Sequence, residues 1–133
     1  MYLGIDFGER KIGVAISEGY FAKPYLVISA NSLDAQIAKI KNLCELEKIT
    51  TIVVGFPVQD PQSVMAARIH TFLSHLKKAI QLPVILQDET LSSKEALAKM
   101  IAAGKKKKAR RQDDAAAAAI ILQNYLDTLG MKL

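Results

Sequence analysis

Tyr2-Leu3-Gly4-Ile5-Asp6-Phe7 is an apolar, strand-like run with one acid set inside it. A carboxylate in such a run is costly to bury unless hydrogen-bond donors or a cation meet it. Gly8-Glu9-Arg10 turns the chain, and Lys11-Ile12-Gly13-Val14-Ala15-Ile16-Ser17 reads as the strand returning beside the first. What meets this acid at the end of the first strand is the question that organises the rest of the chain.

A chain of 133 residues is expected to form one domain, residues 1–133. It is long enough to bury roughly two thirds of its unfolded surface. Half of its residues are hydrophobic, which excludes disordered and fibrous classes. No apolar run reaches the ~18 residues of a membrane span, and no secretory signal is visible. Cys44 stands alone, which excludes an intrachain disulfide and suits a reducing, cytoplasmic location. Its neighbours Leu43 and Leu46 make it core filler rather than a reactive thiol. The net charge of +5 permits a polyanionic partner. Six cations are concentrated in Lys105, Lys106, Lys107, Lys108, Arg110 and Arg111.

Tyr25–Ser29 reads as a third strand. Asn31 and Ser32 are good N-caps, with Asp34 in a first turn. Leu33, Ile37, Ile40, Leu43 and Cys44 then carry a helix to about Lys48. Thr51–Phe56 is continuously apolar and β-branched, as suits a parallel strand covered on both faces. Asp60 and Pro61 read as N-cap and first residue of a second helix running to about Ile80. Val84–Gln87 is a further strand. Ser92 with Glu95 forms a capping box for a helix to about Ala103, with Gly104 as its stop. The basic run reads as a loop, and a final helix is expected from near Asp113 to Leu129. The sum is an α/β fold with a five-stranded mixed sheet, the first three strands antiparallel and the last two parallel to the first.

In open α/β sheets, chemistry collects at the carboxyl ends of the parallel strands. Here those ends are Asp6, Gly55-Phe56-Pro57 and Asp88-Glu89. Helical steps from Asp114 lead through Ala118, Ile121, Leu122 and Tyr125, so Asp114 lies on the sheet-facing stripe, in the expected first turn. Asp113 is rotated by about 100° and reads as the cap. Ala115 to Ala119 would let that helix lie close to a sheet. If the hairpin pairs so that Gly4, Asp6, Gly13 and Ala15 share one face, the helix can carry Asp114 to Asp6. Carboxylates so gathered repel one another. They make better sense around a hard divalent cation, Mg²⁺ or Mn²⁺. Two such ions about 4 Å apart can activate water and stabilise a leaving oxygen on a phosphodiester. The basic run beside Asp114 would hold a phosphate backbone.

These residues resemble the YqgF-type family of candidate pre-16S rRNA nucleases, also described as Holliday-junction-resolvase-like. The motifs are Gly4-Ile5-Asp6-Phe7-Gly8 continuing to Lys11–Ala15, then Val54-Gly55-Phe56-Pro57, then Asp88-Glu89-Thr90-Leu91-Ser92, then Asp114-Ala115-Ala116 continuing to Leu126. Each is weak alone; all four in order are specific. The resemblance implies a ribonuclease H-like fold with strand order 3-2-1-4-5 and metal-binding acids at Asp6, Glu89 and Asp114. It implies hydrolysis of phosphodiester bonds in maturing the 5′ end of ribosomal RNA. By position alone, Asp88 reads as an acid supporting Glu89 or as a polar strand end, and Asp113 as a supporting acid or the helix cap. Arg10, Lys11, Lys105, Lys106, Lys107, Lys108, Arg110 and Arg111 would contact nucleic acid. The chain departs from the family pattern at Thr90, where an arginine is usual, and in the loop Val58-Gln59-Asp60-Pro61.

Blander readings stand beside these. Asp6 can be a structural acid bonded to turn amides, and Gly8 and Gly13 can serve close packing alone. Gly55-Phe56-Pro57 reads as strand termination, though its open amides could face a phosphate. His70 and His75 are five apart and share no helix face, so they read as surface residues; Met65 and Met100 read as packing. Three functions compete. One is a metal-dependent nuclease acting on pre-rRNA or branched DNA, as a monomer or homodimer. Another is a nucleic-acid-binding ribosome-assembly factor that keeps the fold but has lost activity, which Thr90 makes credible. The last is an actin-like ATPase phosphate domain, discounted because that cleft needs two domains.

Overall fold

Leu3 and Ile5 point one way along the first strand, β1 (Tyr2–Asp6), while Gly4 and Asp6 point the other. The second strand, β2 (Lys11–Ser17), returns antiparallel, with Gly4 opposite Ala15 and Asp6 opposite Gly13. The four small or acidic residues thus share one face, which meets the condition for the last helix to lie close. The computed structural model describes residues 1–89 and 107–130, and side chains for 1–89 and 114–130. The helix expected over residues 92–103 lies outside that set, as does Thr90.

The remaining elements are β3 (Lys23–Ser29), α1 (Leu33–Leu46), β4 (Thr51–Phe56), α2 (Val64–Ala79), β5 (Val84–Asp88) and α3 (Lys107–Gly130). β4 pairs parallel with β1, and β5 parallel with β4. The sheet order is β3-β2-β1-β4-β5, as expected.

On one face Leu3, Ile5, Ile12, Val14, Ile52 and Val54 meet Ile37, Ile40 and Cys44 of α1 and Ile69, Phe72 and Leu76 of α2. Full burial of a side chain of this size contributes roughly 1.5–3 kcal/mol. Cys44 packs here, and burial pushes its thiol up to about 11, so it is the inert filler its neighbours suggested.

The other face is shallow. Ala15 and Val53 meet Ala118, Ala119, Ile121, Leu122 and Leu126 of α3. A Cβ on Gly4 would sit 2.9 Å from the Ala118 carbonyl oxygen and 2.7 Å from the Leu122 Cβ. Only bare backbone at this position lets the alanine-rich helix come down onto the sheet.

Three boundaries differ from expectation. Ser63, not Asp60, caps α2, its hydroxyl accepting from the Ala66 N–H at 3.0 Å. Asp60 instead closes a turn, its carbonyl accepting from the Ser63 N–H at 3.2 Å. β3 starts at Lys23, where a bulge between Val14 and Ala15 accommodates Pro24. Most consequentially, α3 already includes Lys107, so the basic run from Lys107 to Arg111 is helix rather than loop. Lys, Arg, Gln and Ala are all good helix formers. Asp113 is therefore inside the helix and caps nothing, and Asp114 is its eighth residue rather than part of its first turn. Among the described residues no helix is long and apolar enough to cross a membrane.

Candidate active site

Asp6 ends β1, and Glu89 follows the last residue of β5. β4 lies between them. The Glu89 N–H donates to the Phe56 carbonyl at 3.2 Å, which prolongs the β4–β5 ladder by one residue and fixes where Glu89 starts. Its side chain then crosses bare backbone. A Cβ on Gly55 would sit 3.0 Å from Glu89 Oε2, 3.1 Å from Glu89 Cβ and 2.6 Å from Ile121 Cδ1. Gly55, at the carboxyl end of β4, is what lets Glu89 reach Asp6. The two carboxyl groups share a hydrogen bond.

Asp114 arrives from the opposite direction. A Cβ on Gly13 would collide with the Asp114 carbonyl oxygen. Gly13 is paired with Asp6, so the α3 backbone lies over β2 beside that acid. The Asp114 side chain is partly buried, and its charge acts on Asp6.

The electrostatics follow from this gathering. Burial pushes the Asp6 carboxyl up to about 7, with the Glu89 and Asp114 charges and the hydrogen bond to Glu89 adding to it. Glu89 is also raised, by burial first and by the charge of exposed Asp88; its hydrogen bond with Asp6 works the other way. The consistent assignment is a protonated Asp6 donating to an ionised Glu89. As they stand, no three Asp, Glu, His or Cys side chains among the described residues are arranged to hold a metal ion. The donor chemistry nonetheless fits a hard divalent cation. It is all oxygen, it is crowded with like charge, and the proton held between Asp6 and Glu89 is what a cation would displace.

The turn after Asp6 is held from behind. Gln36 of α1 is 2% exposed, and its Nε2 donates to the Glu9 carbonyl at 2.9 Å and, at the limit of bonding, to the Gly8 carbonyl at 3.5 Å. Phe7 packs on Phe72 of α2 with ring centroids 4.7 Å apart. The Arg68–Glu9 ion pair, 2.8 Å long, is solvent-exposed at both ends and contributes little. Gln36 was not singled out in the sequence, although a signal existed: three residues after Leu33 and four before Ile40, it lies on the buried stripe of α1.

Arg10 and Lys11 are exposed at this turn, at the same end of the sheet as Asp6. Lys107, Lys108, Arg110 and Arg111 precede Asp114 on α3; their side chains and that of Asp113 lie outside the described set, as do Lys105 and Lys106. His70 and His75 are exposed on α2, as expected, with the His70 ring edge-on to Phe56 at 5.0 Å. Met65 packs on the core, as expected, and Met100 lies outside the described residues.

Known proteins share both fold and sequence with this chain. The structure is similar to that of T. thermophilus RuvC in complex with a Holliday junction substrate, with a TM-score of 0.60 and 18% identity over 96% of this chain and 94% of that one. It is also similar to the fowlpox virus resolvase bound to Holliday junction DNA, with a TM-score of 0.57 and 12% identity, covering 96% of this chain and 97% of that one. These likenesses identify the sheet and its helices as the ribonuclease H-like fold. Closer in sequence are proteins named "Putative pre-16S rRNA nuclease". The one from Maridesulfovibrio salexigens is 36% identical over 77% of this chain and 78% of its own length. The one from Thermoanaerobacter pseudethanolicus is 34% identical over 95% of both chains. Residues 1–128 match the family described as RuvX: Holliday junction resolvase, and the chain belongs to that family.

Proposed function

We propose that this chain is a metal-dependent endonuclease that hydrolyses phosphodiester bonds, with pre-16S rRNA as substrate and the maturing 5′ end as the place of cleavage. The observation that carries this reading is the meeting of Asp6 and Glu89, drawn from separate strands across the bare backbone of Gly55, with Asp114 carried in over Gly13. The names of the relatives support the RNA substrate.

Asp6, Glu89 and Asp114 would hold Mg²⁺ or Mn²⁺. Such ions, when bound, supply an activated water and charge stabilisation for the leaving oxygen. The chain's own part is to release the proton between Asp6 and Glu89, to keep Glu89 leaning over Gly55, and to hold Asp114 against β2. Asp88 keeps Glu89 basic through its charge. Lys107, Lys108, Arg110 and Arg111, on the helix that delivers Asp114, would bind the phosphate backbone together with Arg10, Lys11, Lys105 and Lys106. Action in the cytoplasm, where ribosomal RNA matures, accords with a single cysteine and with described helices that do not span a membrane.

A second reading, cleavage of a four-way DNA junction, is favoured by the family's description and by the fold of the junction-bound resolvases. Incubating the protein and Mg²⁺ with a pre-16S rRNA fragment and, separately, with a four-way DNA junction decides between them. The first reading expects cleavage of the RNA and an intact junction; the reverse result transfers the assignment to DNA. Binding of RNA with neither substrate cut would make the chain an assembly factor.

A further inference from the structure

The turn between β1 and β2 has its carbonyls and its amides sorted to opposite sides. Gln36 reaches it from α1, which packs on the face opposite α3. Its Nε2 takes the Glu9 carbonyl at 2.9 Å and the Gly8 carbonyl at 3.5 Å. In a trans peptide the C=O of one residue and the N–H of the next point in opposite directions. The described peptides contain no cis bond. Pulling these carbonyls toward α1 therefore turns the N–H groups of Glu9 and Arg10 away from α1, toward the side of the sheet that carries the Asp6 carboxyl. Neither N–H has a hydrogen-bond partner among the described residues. Both residues are exposed, with Arg10 supplying a positive charge at the same place.

We propose that Gln36 is a positioning residue that holds this turn so that the amides of Glu9 and Arg10 seat a phosphate of the nucleic-acid backbone beside Asp6. Successive backbone amides aimed at one point form an anion-binding concavity. Gln36 suits the task because it is nearly fully buried and offers two donors at one nitrogen. Gly8 shapes the turn as well: a Cβ there would run into the Lys11 carbonyl oxygen. The Phe7–Phe72 contact ties the same segment to α2. The turn is thus braced on its carbonyl side, and its amide side is open. This seat rests on the nucleic-acid reading above, but it can be tested without cleavage.

The test is an amide-resolved NMR titration of the ¹⁵N-labelled full chain in EDTA, with a 12-nucleotide single-stranded RNA as probe. In the wild type, the Glu9 and Arg10 amide resonances are expected to move downfield and to saturate. Inorganic phosphate at matched ionic strength should move the same two resonances more weakly. In Gln36→Leu, which keeps the side chain's bulk but removes both donors, those shifts should fall at least fourfold while the resonances of β4 stay in place. In cleavage assays with Mg²⁺, the same variant should raise KM about tenfold with kcat within threefold, the pattern of a lost substrate contact. Wild-type Glu9 and Arg10 resonances that stay still at saturating RNA overturn the seat, whatever the variant does. Full shifts retained in Gln36→Leu overturn the role of Gln36. Moving amides without cleavage would support the seat and count against the nuclease reading; cleavage with unmoved amides would do the reverse. If Gln36→Leu does not fold, the wild-type titration still decides.

Discussion

The backbone of Asp114 rests directly on Gly13: the Asp114 carbonyl oxygen occupies the place a Cβ at residue 13 would need. Gly13 is the strand partner of Asp6. One packing contact therefore sets how α3 sits on the sheet and where its acid stands relative to the first strand. Gly13→Ala forces α3 off the sheet and should cost about 3 kcal/mol, the upper range for overpacking a tight contact. Urea denaturation checks this, and cleavage should fall even where the variant is folded. Gly130→Ala, in the last turn of the same helix with nothing within 4 Å among the described residues, is the control and should stay within about 0.5 kcal/mol of wild type.

The acids predict an unusual pH dependence for the metal-free protein. Asp6 titrates near 7 in the fold against 3.8 as its ordinary value. Between those values the folded chain holds a proton that the unfolded chain has released, so stability falls as pH rises from about 4 to about 7 and is then level. Asp6→Asn, whose amide can donate to Glu89 as the protonated acid does, should remove that slope. In EDTA at pH 8 it should stabilise the protein by about 2 to 4 kcal/mol and change little at pH 4. Urea midpoints at the two pH values measure it; a variant less stable than wild type at pH 8 would contradict the assignment.

Divalent cations should reverse the loss. Mg²⁺ or Mn²⁺ binding to the folded chain raises its melting temperature by mass action. The rise should be larger at pH 8 than at pH 5, because at pH 5 the ion must displace the proton on Asp6. Thermal denaturation with 10 mM Mg²⁺ and with EDTA checks it (about 10 mM being a working excess for a weak carboxylate site). Asp114→Asn should shrink the shift at both pH values.

Placing Lys107, Lys108, Arg110 and Arg111 on α3 makes them a helical cluster carried by the same element as Asp114. Replacing all four with Gln keeps helix propensity and removes the charge. The salt dependence of RNA binding should flatten, its log–log slope falling by about 2 to 3 if each cation meets a phosphate. Binding measured from low to moderate salt gives the slope; an unchanged slope would mean the cluster faces away from RNA.

Much of this arrangement was legible in the chain itself. Alternation pairs Gly4 with Asp6 and Gly13 with Ala15, and helical steps link Asp114 to Leu122 on the sheet-facing stripe of α3; the hairpin register that joins the two pairs on one face comes from the structure. What stayed hidden depends on three-dimensional neighbours. Gly55 looks like a strand end until Glu89 is seen lying across it. Spacing puts Gln36 on the buried stripe of α1, but what its amide meets there, the Glu9 carbonyl, is visible only in three dimensions. A run of like charges reads as a solvated loop, whereas the propensities of Lys, Arg and Ala favour helix and the packed alanine segment extends it backward through Lys107.

The most direct measurement of the central claim is single-turnover cleavage of a pre-16S rRNA fragment in Mg²⁺ by wild type, Asp6→Asn, Glu89→Gln and Asp114→Asn, each first shown to be folded. The three acids are expected to act as one unit, so each variant should lose at least about a hundredfold in rate, and the double variant Asp6→Asn/Asp114→Asn should be little worse than either alone. Wild-type rates in Asp6→Asn, or wild-type cleavage that persists in EDTA, would contradict the account.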